Sequence, residues 1–305
     1  MRLRVNWRVM ALIDLSALRA AFRFPVQHAR LVLLGAGLYA AVFFFQSYFT
    51  AAATGAETPG YAAPLAFTFA LAAFIAFIVA LAAWLRADLG HALGSGLDAF
   101  RFSDDERRLL WGVVLVLILL FTVMGTALLM LAFMLGALAI LGAQRSGLME
   151  PPEGFINIFE LFALGEWIVA IVLIAAFAGF NIWFFARLAL AAPATIARSQ
   201  VQVLAAWPLS DGRVSRIVLT TLAATLPGLA ILVAFNMICA ALFGVYPASS
   251  LSMTDAQGSV TVSDWSFAAL SLPYGVLKMA VLAAPLTALF SALYRRAGGA
   301  ATKAG

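Results

Sequence analysis

RLALAAPATIARSQVQVLAAWPLSDGRVSRIVL, residues 187–219, is the one long stretch in the second half of the chain that is neither continuously apolar nor simply a loop. It contains four arginines, one acid, the helix-breaking Pro193 and a turn with a glycine at Asp211-Gly-Arg213. Apolar runs long enough to cross a bilayer lie on both sides of it. The stretch is therefore predicted to lie at a membrane surface, with Ile196, Val203 or Leu204, and Trp207 facing acyl chains.

The composition of the 305-residue chain places it in a membrane. Hydrophobic residues make up 64% of the sequence and charged residues 11%, and the mean hydropathy is +1.01. So few polar side chains cannot cover the surface of a water-soluble globule of this length. The predicted fold class is an all-α integral membrane protein with cytoplasmic amphipathic interfacial helices.

Six apolar runs are predicted to form transmembrane helices. They lie at about 31–52, 64–85, 109–142, 167–186, 217–243 and within 267–294. The third run has no charged residue and is too short for two crossings of about 20 residues each. It is predicted to be one tilted or protruding helix.

The distribution of Lys and Arg predicts the orientation of these helices. Seventeen of the nineteen basic residues fall in the N-terminal segment, the second and fourth loops and the C-terminal tail, whereas the opposite loops hold only Arg145. Because loops rich in Lys and Arg stay in the cytoplasm, both termini are predicted to be cytoplasmic, in a bacterial inner membrane. The predicted domains are a cytoplasmic amphipathic segment at 1–30, a six-span membrane domain at 31–294 and a cytoplasmic tail at 295–305.

The basic N-terminal segment is too long for the leader of a cleaved signal peptide. Its amphipathic pattern predicts a helix that lies in the membrane interface. Asp14 is a candidate N-cap, and Leu15, Leu18 and Phe22 fall on one helical face. Pro25 is the predicted end of this helix. We expect no cleavage.

A short motif recurs before three of the spans. Ala21-Phe-Arg-Phe24 precedes the first span and is repeated as Ala99-Phe-Arg-Phe102 before the third, while the looser Ala206-Trp-Pro-Leu-Ser-Asp211 precedes the fifth. The pattern favours three repeated units, each an interfacial segment followed by a membrane hairpin. The alternative is chance similarity among amphipathic segments that enter a membrane.

The sequence from Arg187-Leu-Ala-Leu-Ala-Ala-Pro193 through Ala206-Trp207 to Asp211-Gly-Arg213-Val-Ser-Arg216 resembles a recurring bacterial pattern. It is similar to the multi-pass membrane domain associated with glycerophosphodiester phosphodiesterases and with related uncharacterised inner-membrane proteins. The resemblance covers some thirty residues specifically, and Arg198 stands where that pattern often has an acid. It implies a six-helix membrane domain but no activity.

No catalytic, cofactor or metal site is predicted. His28 and His91 have no Cys, Asp or Glu at the spacing of metal ligands, and the nucleotide-binding and nucleophile-elbow motifs are missing. Gly94-Ser95-Gly96 is read as a flexible bend rather than a phosphate nest. Asn181 is predicted to form hydrogen bonds between helices, and Trp84, like the other tryptophans near span ends, to anchor the chain at the interface.

Lys278 is the only charge well inside a predicted span. If the sixth helix begins at Phe267, the ammonium lies near the middle of the membrane and needs a partner or a wet cavity. If Pro273 begins the helix, Lys278 is one turn from the end and its ammonium reaches the interface. The sequence favours the start at Pro273.

The favoured function is a non-enzymatic scaffolding, regulatory or lipid-associated domain. The alternatives are a transporter or lipid-moving permease and the membrane partner of a lipid-modifying enzyme. The predicted partners are the bilayer, anionic phospholipids and a membrane-protein partner, with no nucleic acid and no cofactor. The candidate head-group or functional residues are Arg187, Pro193, Arg213, Arg216 and Lys278.

Overall fold

A computed structural model describes residues 13–54, 59–145, 162–204, 206–244, 246–247, 254–255, 258–259 and 264–299. Within these ranges, six helices are long and apolar enough to cross a membrane. The protein is an all-α membrane protein, as the sequence predicts. Residues 1–12, and with them the first part of the predicted N-terminal segment, lie outside the described residues.

The helices follow one another in the order of the predicted spans. α1 is Leu15–Gln27, α2 Ala29–Thr54, α3 Ala62–Leu89 and α4 Asp104–Arg145. α5 is Leu164–Leu188, α6 Ala191–Arg198, α7 Ala206–Leu209 and α8 Val214–Phe243. The sixth span consists of α9, Asp264–Lys278, a first π-helical turn, Met279–Ala283, and α10, Ala284–Tyr294.

Three smaller elements complete the described structure. A 3₁₀ turn covers Gly96–Phe100, and a second π-helical turn covers Arg295–Gly299. The two-residue strands β1, Thr254–Asp255, and β2, Gly258–Ser259, form an antiparallel hairpin between α8 and α9.

The third span is a single helix, as predicted from its uncharged run. α4 has 42 residues, which at the usual rise per residue gives a length of about 63 Å. The hydrocarbon core of a bilayer is only about 30 Å thick. α4 therefore extends well beyond any membrane it crosses.

Trp84 of α3 lies at the centre of the main core. Its side chain is fully buried, and its Nε1–H donates a hydrogen bond to the Leu31 carbonyl at 3.3 Å. Gly35 of α2 allows this contact, because a Cβ there would lie 3.1 Å from the indole and 3.0 Å from the Phe100 ring. The predicted interfacial role of Trp84 is wrong, since α2 and the 3₁₀ turn cover this end of α3.

The first and last spanning helices are neighbours. α9 packs against α2, while α10 packs against α1 and α3. At Gly275 a Cβ would lie 3.2 Å from the Cβ of Ala40 in α2, so the two helices approach closely. α4 and α5 touch each other more sparingly, and many of their large apolar side chains are exposed on the outside of the bundle.

α1 differs from its prediction in the position of its C-terminal end. Asp14 is the N-cap, as predicted, and accepts a hydrogen bond from the Ala17 N–H at 3.0 Å. The helix continues past Pro25, because the His28 N–H still donates to the Phe24 carbonyl at 2.9 Å. Ala17, Ala21 and Phe24 are buried, because alanines let α1 lie close to α10, whereas Leu15 and Phe22 of the predicted apolar face are exposed.

Short helical segments precede α2, α4 and α8, as the repeat predicts, but the two identical tetrapeptides differ in conformation. The first copy lies in the α-helix α1, whereas the second passes from the 3₁₀ turn into extended chain at Arg101. Each copy buries its alanine and one phenylalanine, Phe24 or Phe100, in the same core cluster or the one beside it.

The stretch 187–219 comprises the end of α5, then α6 and α7 with the turns around them, and the start of α8. Pro193 is the third residue of α6, where a backbone N–H has no partner within a helix. The predicted lipid-facing orientation of Ile196 is wrong, since its side chain is buried in the bundle, and of the alternatives Val203 and Leu204 only Leu204 is exposed. α6 packs against α3 and α4, and this contact covers the apolar face that the sequence assigned to lipid.

Candidate functional site

A largely apolar cavity of about 630 Å³ lies inside the helix bundle. Its wall comes from α2, α3, α4, α6, α9, α10 and the first π-helical turn, together with the end of α5 and the link between α5 and α6. The volume falls in the range of small-molecule binding sites in proteins. The polar residues that line it are Tyr39, Gln46, Thr195, Lys278 and Thr287.

Lys278 lies near the middle of the sixth span. α9 begins at Asp264 and passes through Pro273 without interruption, so the favoured prediction that Pro273 begins the helix is wrong. In a bilayer, residues before the proline gain more from helical hydrogen bonds than from an unpaired extended backbone. Along the helix, Lys278 is about 16 Å from Phe267 and about 24 Å from Tyr294.

The Lys278 ammonium faces the cavity without a carboxylate partner. In the part of the chain that the structure describes, every ion pair involves an arginine and none involves this lysine. Its Nζ lies 5.9 Å from the centroid of the Phe43 ring, a cation–π contact. A helix that begins before Pro273 places this ammonium deep in the membrane, where it needs a partner or a cavity, and the structure provides a cavity.

The first π-helical turn follows Lys278 directly and has a local cause. Pro285 has no N–H to donate to the Val281 carbonyl, and its ring would collide with that group in a regular α-helix. The chain instead forms a longer bond, from the Ala284 N–H to the Met279 carbonyl. Gly228 of α8 makes room for the displaced carbonyl, because a Cβ there would be only 2.5 Å from the Val281 oxygen.

Two of the polar groups in the cavity wall have their hydrogen bonds satisfied by the backbone. The Thr195 hydroxyl donates to the Ala191 carbonyl at 2.8 Å, and the Thr287 hydroxyl donates to the Ala283 carbonyl at 2.8 Å. Across the described ranges, no such bond is formed by the side-chain amide of Gln46 or the hydroxyl of Tyr39. Gln46, Tyr39 and Lys278 are therefore the hydrogen-bond donors that a ligand in the cavity would meet.

A smaller cavity of about 440 Å³ adjoins the first one between α4, α5, α8 and α10. Val116, Leu188, Ala189 and Phe290 line both cavities. On the outer side of the smaller cavity, Ile182 and Leu222 are each 51% exposed, on surfaces that face lipid in a membrane. The two cavities thus share part of their walls.

The five candidate residues from the sequence fall into two groups. Pro193 and Lys278 line the main cavity. Arg187, Arg213 and Arg216 lie elsewhere, at the end of the bundle formed by α1, α6, α7 and the second π-helical turn, which we call the basic end.

The arginines at the basic end are engaged in different ways. Arg187 contacts the rings of Trp183 and Trp207, at 5.4 and 5.5 Å from their centroids, and forms an ion pair with Asp211 at 3.1 Å. Arg213 donates to the Arg296 carbonyl at 2.9 Å. Arg216 is exposed. Arg187 thus joins α5 to α7, and Arg213 joins α8 to the second π-helical turn.

Asp14 connects the two ends of the described chain at the basic end. Its carboxylate forms an ion pair with Arg296 and accepts hydrogen bonds from the Ala17 N–H and the Ser16 hydroxyl. Burial alone would raise the pKa of this carboxyl, but these hydrogen bonds and the arginine charge outweigh it and lower the pKa below its ordinary value. Within the described ranges, no group of three potential metal ligands comes together.

Sequence reasoning missed Tyr39, Thr195 and Thr287 as lining residues. Each is a single polar group in an apolar run. Its place in a cavity wall depends on contacts between helices that are distant in sequence. Gln46, a single amide in the apolar run of the first span, also lies in the cavity wall. Asn181, predicted to bond to another helix, donates to the Phe177 carbonyl of its own helix at 2.7 Å.

No protein-family model, curated protein or solved structure matches the chain. The function therefore has to be inferred from the geometry of the cavity and of the basic end.

Proposed function

We propose that the protein is a non-enzymatic, lipid-associated domain of a bacterial inner membrane that binds an anionic amphiphile in the main cavity. Both termini lie in the cytoplasm in this proposal. The observation that carries it is the Lys278 ammonium, which faces a large apolar cavity near the middle of a span and has no ion-pair partner among the described residues. The ligand that fits this chemistry is an acyl chain bearing a carboxylate or a phosphate.

Electrostatics favour an anionic head group over a neutral one. An unpaired lysine at the centre of a transmembrane helix costs about 2.5–3.5 kcal/mol on insertion scales. An anion beside Nζ offsets part of that cost, and Gln46 and Tyr39 can donate hydrogen bonds to its oxygens. The neutral form of the same ligand leaves the ammonium unpaired.

The rest of the cavity supports an acyl chain. Its wall is formed mainly by Ala, Leu, Val and Phe side chains, and each methylene group buried there contributes about 0.8 kcal/mol. The adjoining cavity, with its half-exposed outer residues, gives such a chain access from the bilayer. An amphiphile can therefore enter from the side without its chain crossing water.

The test compares two probes that share a chain and differ in charge: cis-parinaric acid and its methyl ester. Binding to the purified protein is followed by probe fluorescence at pH 7. We expect the wild type to bind the acid about tenfold more tightly than the ester, which corresponds to about 1.4 kcal/mol. Lys278→Met should bind both probes equally, and Lys278→Arg should keep the preference for the acid.

Two control variants separate the cavity from the surface. Arg101→Gln removes an exposed cation outside the cavity and should leave the preference unchanged. Ala192→Phe fills part of the cavity and should weaken binding of both probes. A preference for the acid that persists in Lys278→Met would exclude the proposal, as would equal binding of the two probes by the wild type.

A lipid-moving permease is the second candidate, and the first π-helical turn favours it. Irregular turns inside spanning helices are common where transporters bind and move their substrates. The test is transbilayer movement of a fluorescent anionic phospholipid in reconstituted vesicles. Movement that depends on Lys278 would favour the permease, whereas binding without movement would favour the lipid-associated domain.

The resemblance to the membrane domain of glycerophosphodiester phosphodiesterases remains part of this proposal. That resemblance rests on Arg187–Pro193 and Asp211–Arg216, and it agrees with a lipid-associated role. We further propose that the apolar outer surface of α4 and α5 contacts lipid or a membrane-protein partner, because many of its large side chains are exposed.

A further inference from the structure

Two neighbouring hollows lie along the outside of α1 and the start of α2, at the basic end. The first, of about 440 Å³, is lined by Arg19, Arg23 and Arg295. The second, of about 350 Å³, is lined by His28 and Arg30. Gln27 lines both hollows, so they share one wall.

Three of the arginines in these hollows have no partner in the part of the chain that the structure describes. Arg19, Arg23 and Arg30 are exposed and take part in no ion pair or side-chain hydrogen bond there. The one acid in the hollows, Asp88, pairs with Arg295 at 2.8 Å. The hollows therefore carry an excess of positive charge that the protein itself does not neutralise.

Several arginines outside the hollows form ion pairs. Arg86 pairs with the buried Glu106, and Arg187 pairs with Asp211 at 3.1 Å. Arg107 and Arg108 each pair with an acid one turn earlier on α4. Arg101 and Arg216, outside the hollows, are also exposed and form no ion pair among the described residues.

The three free arginines are spaced along one nearly continuous helical path. Arg19 and Arg23 are one turn apart on α1, about 6 Å. Arg30 follows about 10 Å further on, beyond the single break at His28. One hollow therefore offers two guanidinium groups and the other offers one together with an imidazole.

The second hollow also has an apolar floor. Leu31 and Leu34 of α2 line it beside Arg30, and Leu33 next to them is 57% exposed on the outside of the spanning helix. A soluble polyanion would gain nothing from these side chains. A lipid would place its head group on the arginines and its acyl chains along α2.

We infer that the two hollows bind one phospholipid that carries two phosphate groups joined by glycerol, of the cardiolipin type, with one phosphate in each hollow. Arginine forms paired, charge-assisted hydrogen bonds with phosphate oxygens, and basic pockets beside spanning helices suit such head groups. The site is separate from the main cavity and does not depend on Lys278.

The test uses purified protein in nanodiscs made of phosphatidylcholine with either tetraoleoyl cardiolipin or dioleoyl phosphatidylglycerol, at equal total phosphate from the anionic lipid. Lipid retained after exchange into detergent is measured by native mass spectrometry. We expect cardiolipin to be retained about tenfold more strongly than phosphatidylglycerol. The double variant Arg23→Gln/Arg30→Gln should lose that preference, because it removes one guanidinium from each hollow.

The matched control is Arg107→Gln/Arg108→Gln, which removes two charges from the same end of the bundle but outside the hollows. It should retain cardiolipin as the wild type does. Melting temperatures of both variants show whether either has lost its fold, and Arg23→Lys/Arg30→Lys, which keeps both charges, should keep part of the preference. Equal retention of the two lipids by the wild type, or an equal loss in the control, would overturn the inference.

Discussion

At the level of single residues, one carboxylate holds together parts of the chain that are far apart in sequence. Asp14 caps α1 and pairs with Arg296 of the second π-helical turn. Its backbone N–H donates to the Thr220 hydroxyl of α8 at 3.0 Å. Three elements therefore meet at this residue.

The lowered pKa of Asp14 predicts how stability depends on pH. A carboxyl whose folded pKa is depressed stabilises the fold above its unfolded pKa, near 3.8, and loses this contribution as the pH falls through the folded value. Asp14→Asn keeps the cap, since Asn is also a good N-cap residue, but removes the charge. We expect the melting temperature of the wild type to fall more than that of Asp14→Asn between pH 5 and pH 3.

Asp104→Asn is the control for this measurement, because Asp104 pairs with Arg107 on the exposed surface. Its pH dependence should match that of the wild type. If Asp14→Asn and the wild type lost stability in parallel, the charge of Asp14 would have no part in acid destabilisation.

Gly228 allows a second prediction at this scale. A Cβ at this position would lie 2.5 Å from the Val281 oxygen, and the neighbour is backbone that cannot turn aside. Gly228→Ala should lower the free energy of unfolding by about 1–3 kcal/mol, measured by denaturant titration in detergent. Gly125→Ala, where the new Cβ meets nothing within 4 Å, should be neutral or stabilising, and equal effects in the two variants would contradict the prediction.

At the level of elements, a buried ion pair ties the end of α3 to the start of α4. Glu106 is fully buried, pairs with Arg86 and accepts a hydrogen bond from the Ser103 N–H at 2.9 Å. Arg86→Met should cost about 3–5 kcal/mol of unfolding free energy, because it leaves a buried charge unpaired. The double variant Arg86→Met/Glu106→Leu should be closer to the wild type.

The exposed pair Arg107–Asp104 provides the comparison for this element. Both side chains are more than 60% exposed, so Arg107→Met should change the unfolding free energy by about 0–1 kcal/mol. Denaturant titration of the three variants under the same conditions measures the unfolding free energy that each substitution costs. A double variant as unstable as Arg86→Met would mean that packing, rather than charge, explains the loss.

The sequence predicted the spanning helices well, because a long apolar run in a bilayer has to satisfy its backbone hydrogen bonds internally and therefore forms a helix. It was wrong about the effect of two prolines on their helices and about which helix faces are buried in the protein. Pro25 does not end its helix and Pro273 does not begin one, since hydrogen bonds on either side outweigh the one that proline removes. Trp84 and Ile196 were assigned to the interface and to lipid, but composition cannot distinguish a side that faces lipid from one that faces another helix.

The candidate site was predictable only in part. Lys278 stood out as a charge in an apolar run, and Pro193 as a helix breaker, and both line the cavity. The cavity itself arises because helices from the first, second, third and sixth spans enclose the same space as α6. No pattern within one segment carries that information.

At the level of the whole molecule, the distribution of charge leads to a prediction of orientation. A reporter that is active only in the cytoplasm should be active when fused after Lys303, and a reporter that is active only in the periplasm should be active when inserted near Gly258 of the β-hairpin. The physical reason is the concentration of arginine on the side of the termini. Activity of both sites on the same side would contradict the six-span topology.

The contact between α9 and α2 has a consequence for how the protein is made. A ribosome releases the first spanning helix long before the last, so the face of α2 that carries Ala40 has no protein partner in α9 during most of synthesis. The faces of α2 and α3 that pack against α9 and α10 remain exposed to lipid until those helices are inserted. Chains cut short before residue 264 should consequently be held by insertion chaperones or removed by membrane proteases, even though most of their spanning helices are intact.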